Sequence, residues 1–562
     1  MMIAVAEDLR ACRGEAAAPP PSWHRITAPA PCNMQSNLVP LLLASSSVQR
    51  SSAHRSSMRT AAASRRQHEC PGRAAADVVV IGGGAAGLLA AITAGRRGRR
   101  VVVLEKNADI GKKIRISGGG RCNFTNISPD LAGSFHSSAC SSSSSLPPHS
   151  EAHSFDDVLP TVAKVAGSAP ATSRNFVQKA LERYPPDQFI ALVEKHGIGY
   201  HEKKLGQLFC DKSAQQIIEM LRKECRAASV DIRTNCHVTA VRPSEQDALG
   251  NSHHDAQAEQ QLLSRSHFSI SWQSIQRQDA RTNEKEWMDE PLTAESVIIA
   301  SGGLSFARAC GSTDLAHKVA SEFSITLRGI RPGLVPVLIV PEGDSWIREL
   351  TGVSLPDVGV SIGGSTFTEN LLFTHRGLSG PAVLQASSFL GPGAPSMTAI
   401  NEPLIIDLFP KLSENEVFGW LQARAEACRA ATRGKRTFPV VKELCMRLPK
   451  RFAHAFWSAR ARPAIQARYI DEPLADLPQS SLHCLAHLLK AWDVHVEGTE
   501  GYPKAEVTCG GVATEELNDE TMETVAVPGL YFIGEAVDVT GWLGGYNFQW
   551  AWSSGYAAGS AV

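Results

Sequence analysis

The stretch Asp77–Asn123, DVVVIGGGAAGLLAAITAGRRGRRVVVLEKNADIGKKIRISGGGRCN, decides the fold. Val78 to Ile81 is an apolar run that reads as a buried parallel strand. Gly82 to Gly87 follows and fits G-x-G-x-x-G. An Ala-rich run at helical spacing then extends from Ala85 to Arg97 and stops at Gly98, and a second apolar run, Val101 to Leu104, ends in Glu105. The pattern is strand, turn, helix, strand, with an acid at the tip of the second strand. Gly82 permits the tight turn, Gly84 lets a pyrophosphate approach bare backbone, and Gly87 lets the helix pack on the strand. Ala85 and Ala86 open the helix, whose N-terminus turns free N–H groups toward the phosphates. Glu105, eighteen positions after Gly87, is placed to accept ribose hydroxyls. Strand, helix and acid together supply the context that a lone glycine motif lacks, so this segment is expected to bind a dinucleotide.

The remaining chain bounds the class. Its 562 residues suffice for two or three domains, and 43% apolar with 20% charged residues is ordinary globular composition. Lys plus Arg equals Asp plus Glu, 56 each, so charge makes no case for a nucleic-acid or membrane partner, and neither is expected. The longest early apolar run, Leu38–Ala44, is too short to span a bilayer. Thirteen scattered cysteines without a C-x-x-C pair suggest reduced thiols and no metal site.

Residues 1–75 have a different composition. They are rich in Ser, Ala, Pro and Arg, contain no Lys, and carry no acid between Glu15 and Glu69. They read as a transit peptide, Met34 being an alternative start, and point to an organelle, a plastid before a mitochondrion. If the extension has another role, the chain is cytoplasmic. Low-complexity inserts are expected at about 131–168 and 244–291, with Phe268–Trp272 as a strand inside the second. Ser296–Gly303 reads as a short strand ending in two glycines, which brings backbone close to a ligand. Ile330–Leu338, Asp357–Ile362, Phe367–Phe373 and Leu404–Leu408 have β character, and Ser413–Trp492 is mainly helical. Nucleotide-type sequence resumes with Gly529–Glu535, a strand ending in Gly-Glu, then the Gly-rich loop from Gly541 and a helix from Gln549. The layout is therefore a cofactor domain in two parts, 76–335 and 498–562, with 336–497 inserted as a substrate or cap domain.

Five ordered strings carry a resemblance to a known family: Ile81–Asn107, KKIRISGGGRCNFTN from Lys112, IIASGGLSFARACGSTD from Ile298, LLFTHRGLSGPAVLQAS from Leu371, and the long run from Ala505 through GWLGGYNFQW to Gly559. With these the chain resembles the BaiN and aminoacetone-oxidase-like family of FAD-dependent oxidoreductases. The resemblance covers most of residues 77–562. It implies an α/β fold in which a discontinuous Rossmann-like FAD domain carries an inserted β-barrel-like and helical domain. It also implies FAD contacts at Gly82, Gly84, Ala85, Ala86, Glu105, Lys106, Lys113, Arg121, Cys122, Asn123, Gly302, Glu535, Tyr546, Asn547 and Phe548, with the backbone of Val238 at the adenine.

FAD then carries the redox chemistry. Only one dinucleotide fingerprint is present, so either the substrate reduces the flavin or NAD(P)H visits transiently as reductant. Lys112, Lys113, Arg115 and Arg121 form a basic cluster for the pyrophosphate or a solvated loop. Cys122 is a tuning thiol or, preferably, a small buried residue. The turn around His375 and Arg376 can aim an acid or base and a guanidinium at the flavin, or simply fix the domains. Lys504 and Glu506 are weaker candidates of the same kind, and Trp542, Tyr546 and Trp550 wall a pocket or pack a core. The expected activity is hydride transfer between a small organic substrate and the flavin, amine-oxidase-like or NAD(P)H-dependent and enone-reductase-like. The alternatives are an RNA-modifying flavoprotein and a non-catalytic flavin-binding redox reporter.

Overall fold

A computed structural model describes residues 75–137, 171–244, 268–278, 285–289, 292–340, 344–391, 403–431 and 438–562. The transit-peptide reading (except for residue 75) and most of the first insert lie outside them.

The first layer is a sheet whose centre is fully apolar. Strand β1 (Ala75–Ile81) leads through Gly82–Gly84 into helix α1 (Ala85–Arg96) and back into β2 (Val101–Leu104). Val78, Val79 and Val80 are completely buried, each contributing about 2 kcal/mol of hydrophobic stabilisation. β3 (Asp231–Arg233), β4 (Leu292–Ile299) and β5 (Leu530–Phe532) complete a parallel array in the order β5–β4–β1–β2–β3. In register, Val80 stands between Val103 and Ile298. The first half of β4 also pairs antiparallel with Phe268–Gln278, which in turn pairs with Cys236–Pro243 and with Lys285–Asp289. The second polar insert thus contains two strands where the sequence suggested one short one.

Helix α2 (Tyr546–Ala561) lies across α1 at backbone contact. A Cβ on Gly555 would stand 2.4 Å from the Ala86 carbonyl oxygen, and one on Gly559 2.4 Å from that of Ala90. The helix begins three residues before the expected Gln549, because Gly545 in the left-handed region (φ 98°) ends the loop there.

The second layer is a seven-stranded antiparallel sheet. Its order is Trp492–Val494, Leu404–Asp407, Ser354–Ile362, Ser365–Phe373, Gly377–Ser379, Val337–Ile339, Val496–Thr499. The two edge strands are consecutive in the chain with only His495 between them, so the sheet must curl almost onto itself as a barrel. Helices Glu414–Ala431 and Gln479–Lys490 accompany it, and Trp346, Phe373, Phe452, Phe456 and Trp492 form one aromatic cluster. The run Ile330–Leu338 divides between two sheets. Leu327–Gly333 pairs with Val507–Val512, and Val337–Ile339 joins the barrel, the break falling at Leu334 with φ 48°.

Candidate cofactor and active site

The carboxyl ends of β1, β2, β4 and β5 lead into Gly82–Gly84, Glu105, Ala300–Gly303 and Ile533–Glu535, so the parallel topology gathers these segments at one edge. Ligands of open α/β sheets bind at this edge. Gly82 has φ 113°, and a Cβ there would lie 2.4 Å from the Ala300 carbonyl oxygen. A Cβ on Gly87 would lie 2.0 Å from the Gly82 oxygen. Gly84, the N-cap of α1, differs: among the described residues no atom beyond its chain neighbours lies within 4 Å of its Cβ position and no side chain caps the helix. Ala85 is half-buried beside it and Ala86 is buried.

Glu105 is buried. Its Oε2 accepts the Gly83 N–H at 2.8 Å, while Oε1 accepts the Asn107 N–H at 2.8 Å and Nδ2 at 2.6 Å. With three partners in place, about one of the four acceptor positions of a carboxylate is left for a ribose hydroxyl. Cys236 N donates to the Glu105 carbonyl at 2.9 Å, which brings the strand bearing buried Val238 beside the acid. Lys106 is exposed and reaches the Gly311 carbonyl at 3.4 Å.

Glu535 anchors the other half. It pairs with Lys113, accepts from Ser305 Oγ at 2.6 Å and accepts from Thr508 N–H at 3.0 Å. Lys113 also donates to Ser305 Oγ at 2.7 Å, and its Nζ lies 3.9 Å from the Cβ position of Gly302. Burial alone would raise the Glu535 pKa, but Lys113 and the hydroxyl and backbone donors outweigh it, so the carboxylate is held below its ordinary range. Lys113, Gly302 and Glu535 are therefore brought together, with Ser305 and Thr508, which sequence reasoning passed over. Both sit within strings that carried the resemblance, yet only folding shows that they share one carboxylate oxygen.

The S-G-G-G-R-C-N segment follows the short helix Lys112–Ile116 that bears Lys113. Gly118, Gly119, Gly120 and Cys122 all have positive φ. A Cβ on Gly118 would meet the Phe209 ring at 2.8 Å, whereas the Cβ positions of Gly119 and Gly120 are open. Cys122 is buried in the same apolar cluster as Ile114, Phe124 and Leu208, and burial pushes its thiol well above the ordinary range. Arg121 is exposed. Asn123 Oδ1 is buried without a hydrogen-bond partner among the described residues and lies 2.9 Å from the Cβ position of Gly545, at the start of α2. No side chain caps α2, whose first turn holds Tyr546, Asn547 and Phe548. The Asn547 side chain ties down the preceding loop, donating to the Gly541 carbonyl at 2.8 Å and accepting its N–H at 2.9 Å. Tyr546 packs edge-on against Phe135, and Phe548 stacks on Trp552. Trp550 donates to the Gly534 carbonyl at 3.0 Å and is core.

His375 and Arg376 are exposed in a turn held by Thr374. Arg376 pairs with Glu500 at 3.5 Å, and among the described residues neither contacts Gly302, Lys113 or Glu535. A second histidine is buried near the loop before α2. His136 is buried, pairs by backbone with Thr540 next to Gly541, and packs in one triangle of rings with Trp542 at 4.7 Å and Phe389 at 5.2 Å, which are 5.9 Å from each other. No sequence signal marked it.

These features fit FAD: an open glycine at one uncapped helix, an orphaned buried acceptor at a second, and carboxylates at two strand tips. A family profile described as HI0933-like protein Rossmann domain matches residues 76–158, 161–266 and 256–561. The chain belongs to the HI0933-like family. It is thus an FAD-dependent oxidoreductase. It is 37% identical over 464 residues to the ribosomal RNA dihydrouridine synthase of Escherichia coli, covering 83% of this chain and 92% of that protein. It is 35% identical to the protein of the same name in Haemophilus influenzae, covering 83% and 93%. It is 27% identical to the 3-dehydro-bile acid delta(4,6)-reductase of Clostridium scindens, covering 82% and 92%. The first two overturn the expectation that nucleic acid is not a partner. The physical reason is that a charge sum of zero over a whole chain says nothing about one pocket, and an enzyme acting on a single base can read it there.

Proposed function

We propose that this protein is an FAD-dependent reductase of a uracil base in ribosomal RNA, with a reduced nicotinamide as electron source. The observation that carries the reading is the likeness to the two ribosomal RNA dihydrouridine synthases along nearly their whole length. Dihydrouridine is uridine whose C5–C6 double bond, conjugated with the C4 carbonyl, has been reduced. A delta(4,6)-reductase of a 3-dehydro bile acid likewise acts on double bonds conjugated with a ketone. Enone-type reduction and RNA modification are then one chemistry on two substrates, which favours reductase over amine oxidase.

FAD, when bound, supplies the hydride that a double bond of this kind takes at the carbon β to the carbonyl. For uracil the hydride goes to C6 and a proton to C5, while the nicotinamide leaves as NAD(P)⁺. The chain's part is to bind and orient. Gly84 and the N-termini of α1 and α2 receive the anionic and carbonyl groups of the cofactor, Glu105 and Glu535 its hydroxyls, and Asn123 a donor on it. The roles of Lys106, Arg121 and Val238 at the periphery belong to the same proposal.

The test incubates the full chain, loaded with FAD, with NADH or NADPH and an unmodified ribosomal RNA transcript without oxygen. Uridines heavier by the mass of two hydrogens are expected. An unchanged transcript, with flavin bleached instead by primary amines and peroxide formed on admitting air, would replace this reading with the oxidase one.

A further inference from the structure

The chain as a whole is neutral, but its charge is not evenly spread. The stretch from Lys442 to Arg468 holds seven Lys and Arg against a single acid, Glu443. That acid is buried and already met by Arg424, whose Nε and Nη2 donate to its two oxygens at 2.8 and 2.9 Å. The stretch falls between the barrel strands Leu404–Asp407 and Trp492–Val494, in helix Val440–Leu444 and the helical turns from Lys450 to Ala464. Four of its seven cations are engaged or half-buried. Arg447 lies over the Trp420 ring at 4.5 Å, Arg451 donates to the Glu349 carbonyl at 2.8 Å, Arg460 pairs with Asp493, and Arg462 is half-buried. Lys442, Lys450 and Arg468 are exposed and pair with no acid among the described residues.

The same stretch and its flanks expose apolar surface. Phe438, Met446, Tyr469 and Ile470 all stand out to solvent, Met446 being 70% and Tyr469 66% exposed. Folding brings the flanks together. The Leu474 N–H donates to the Phe438 carbonyl and the Val440 N–H to the Glu472 carbonyl, both at 3.0 Å, so the two ends of the stretch run side by side. Trp457 Nε1 donates to the Ile470 carbonyl at 2.7 Å, which ties the turn after Arg468 to the helical run. Of the two acids in that turn, Glu472 accepts the Tyr469 N–H at 2.9 Å and Asp471 is exposed. The result is a cationic face with exposed rings at its edge. Lys is depleted where proteins meet proteins, whereas cations interleaved with aromatic rings suit a polyanion whose bases can stack.

We propose that this face, centred on Lys442, Lys450 and Arg468, holds the backbone of an RNA substrate, with Phe438 and Tyr469 stacking on its unpaired bases. The inference rests on the ribosomal RNA reading above. Each of the three cations neutralises about one phosphate. Phosphate contacts position a nucleic acid and carry no sequence information, so the face anchors the strand while the cofactor cleft takes the base. The division explains how a chain of zero net charge serves a polyanion. The attraction is local, and the rest of the chain, which is correspondingly acidic, repels the backbone from other surfaces.

The experiment titrates a labelled ribosomal RNA transcript with the FAD-loaded full chain over a series of salt concentrations. Wild type is compared with the triple variant Lys442→Gln, Lys450→Gln, Arg468→Gln, and with Tyr469→Ala. A control triple variant, Lys212→Gln, Lys223→Gln, Arg226→Gln, removes the same charge from other exposed positions. Wild-type affinity should fall with salt at a logarithmic slope of about −2. The first triple variant should flatten that slope toward zero and bind about 100-fold more weakly at about 50 mM salt. The control should stay within about threefold of wild type, and Tyr469→Ala should weaken binding about 10-fold with the slope unchanged, as a stacking contact does. Binding of the first triple variant within about threefold of wild type would overturn the inference, as would equal losses in both triple variants, which would reduce the effect to net charge. Dihydrouridine is measured in parallel under reducing, anaerobic conditions. Wild type that forms it while the first triple variant binds normally would remove the face and keep the reductase reading. Wild type that binds through the face yet forms none would keep the face and remove that reading. Wild type that binds phosphatidylglycerol vesicles but not the transcript would overturn the RNA assignment in favour of a membrane surface.

Discussion

At the scale of single residues, the site rests on two carboxylates with unequal duties. Glu105 accepts from Gly83 and Asn107, fixing the loop and the strand tip in one stroke. Glu105→Ala leaves those donors orphaned and is expected to weaken FAD binding about 10- to 100-fold, the loss of one or two charge-assisted hydrogen bonds, readable by flavin fluorescence titration. Glu535 depends on Lys113. Lys113→Met leaves a half-buried carboxylate with only the Ser305 and Thr508 donors and should lower stability by about 2 kcal/mol. The double variant with Glu535→Gln should recover part of that loss in urea unfolding, because the pair is coupled. Glu105 was legible from its spacing after Gly87, and Glu535 from its strand ending. Their partners were not, since Lys113, Ser305, Thr508 and Glu535 are joined by folding alone.

At the scale of elements, the α1–α2 crossing is the tightest constraint. Gly555→Ala puts a methyl 2.4 Å from the Ala86 carbonyl oxygen, so the helices must part. The expected cost is about 1–3 kcal/mol, seen as a lowered unfolding midpoint. A second junction joins α1 to helices Pro186–Lys195 and Gln215–Ala227. There Glu224, nearly buried, pairs with Arg96, with Lys195 at 3.0 Å and with His196 at 2.6 Å. Burial would raise its pKa, but these donors bring it down to about 2. A depressed carboxylate stabilises the fold fully above its unfolded value of about 4.5 and loses that contribution as pH falls toward 2. Wild type should therefore lose about 2 kcal/mol more stability than Glu224→Gln between pH 5 and pH 2, after allowance for its exposed partners, by denaturation at each pH. The element types were readable from period and punctuation. The division of Ile330–Leu338 between two sheets was not, because strand pairing is a long-range choice made at Leu334.

For the whole molecule, two closures matter. The parallel strands end together and make the cleft, and the antiparallel sheet curls because its edge strands are neighbours in the chain. A substrate read as a single flipped base needs few phosphate contacts. Ribosomal RNA binding is thus expected to fall with salt at a modest slope of about −2 in the logarithmic plot, matching about three phosphates. A slope several times steeper in filter-binding titrations would show that a basic surface, not a pocket, does the recognising.

The sequence by itself determined the dinucleotide unit, the strand-tip acids, the Gly-rich segments and the return of the cofactor domain at the C-terminus. Those are local patterns of period, spacing and backbone freedom, carried within a few tens of residues. Tertiary structure alone decided the company each side chain keeps. It set His375 and Arg376 on an exposed turn beside Glu500, placed Cys122 in a packed core, and gathered His136, Phe389 and Trp542 into one triangle of rings. Residues hundreds of positions apart in the chain meet only when the sheets are assembled, and no local pattern records that meeting.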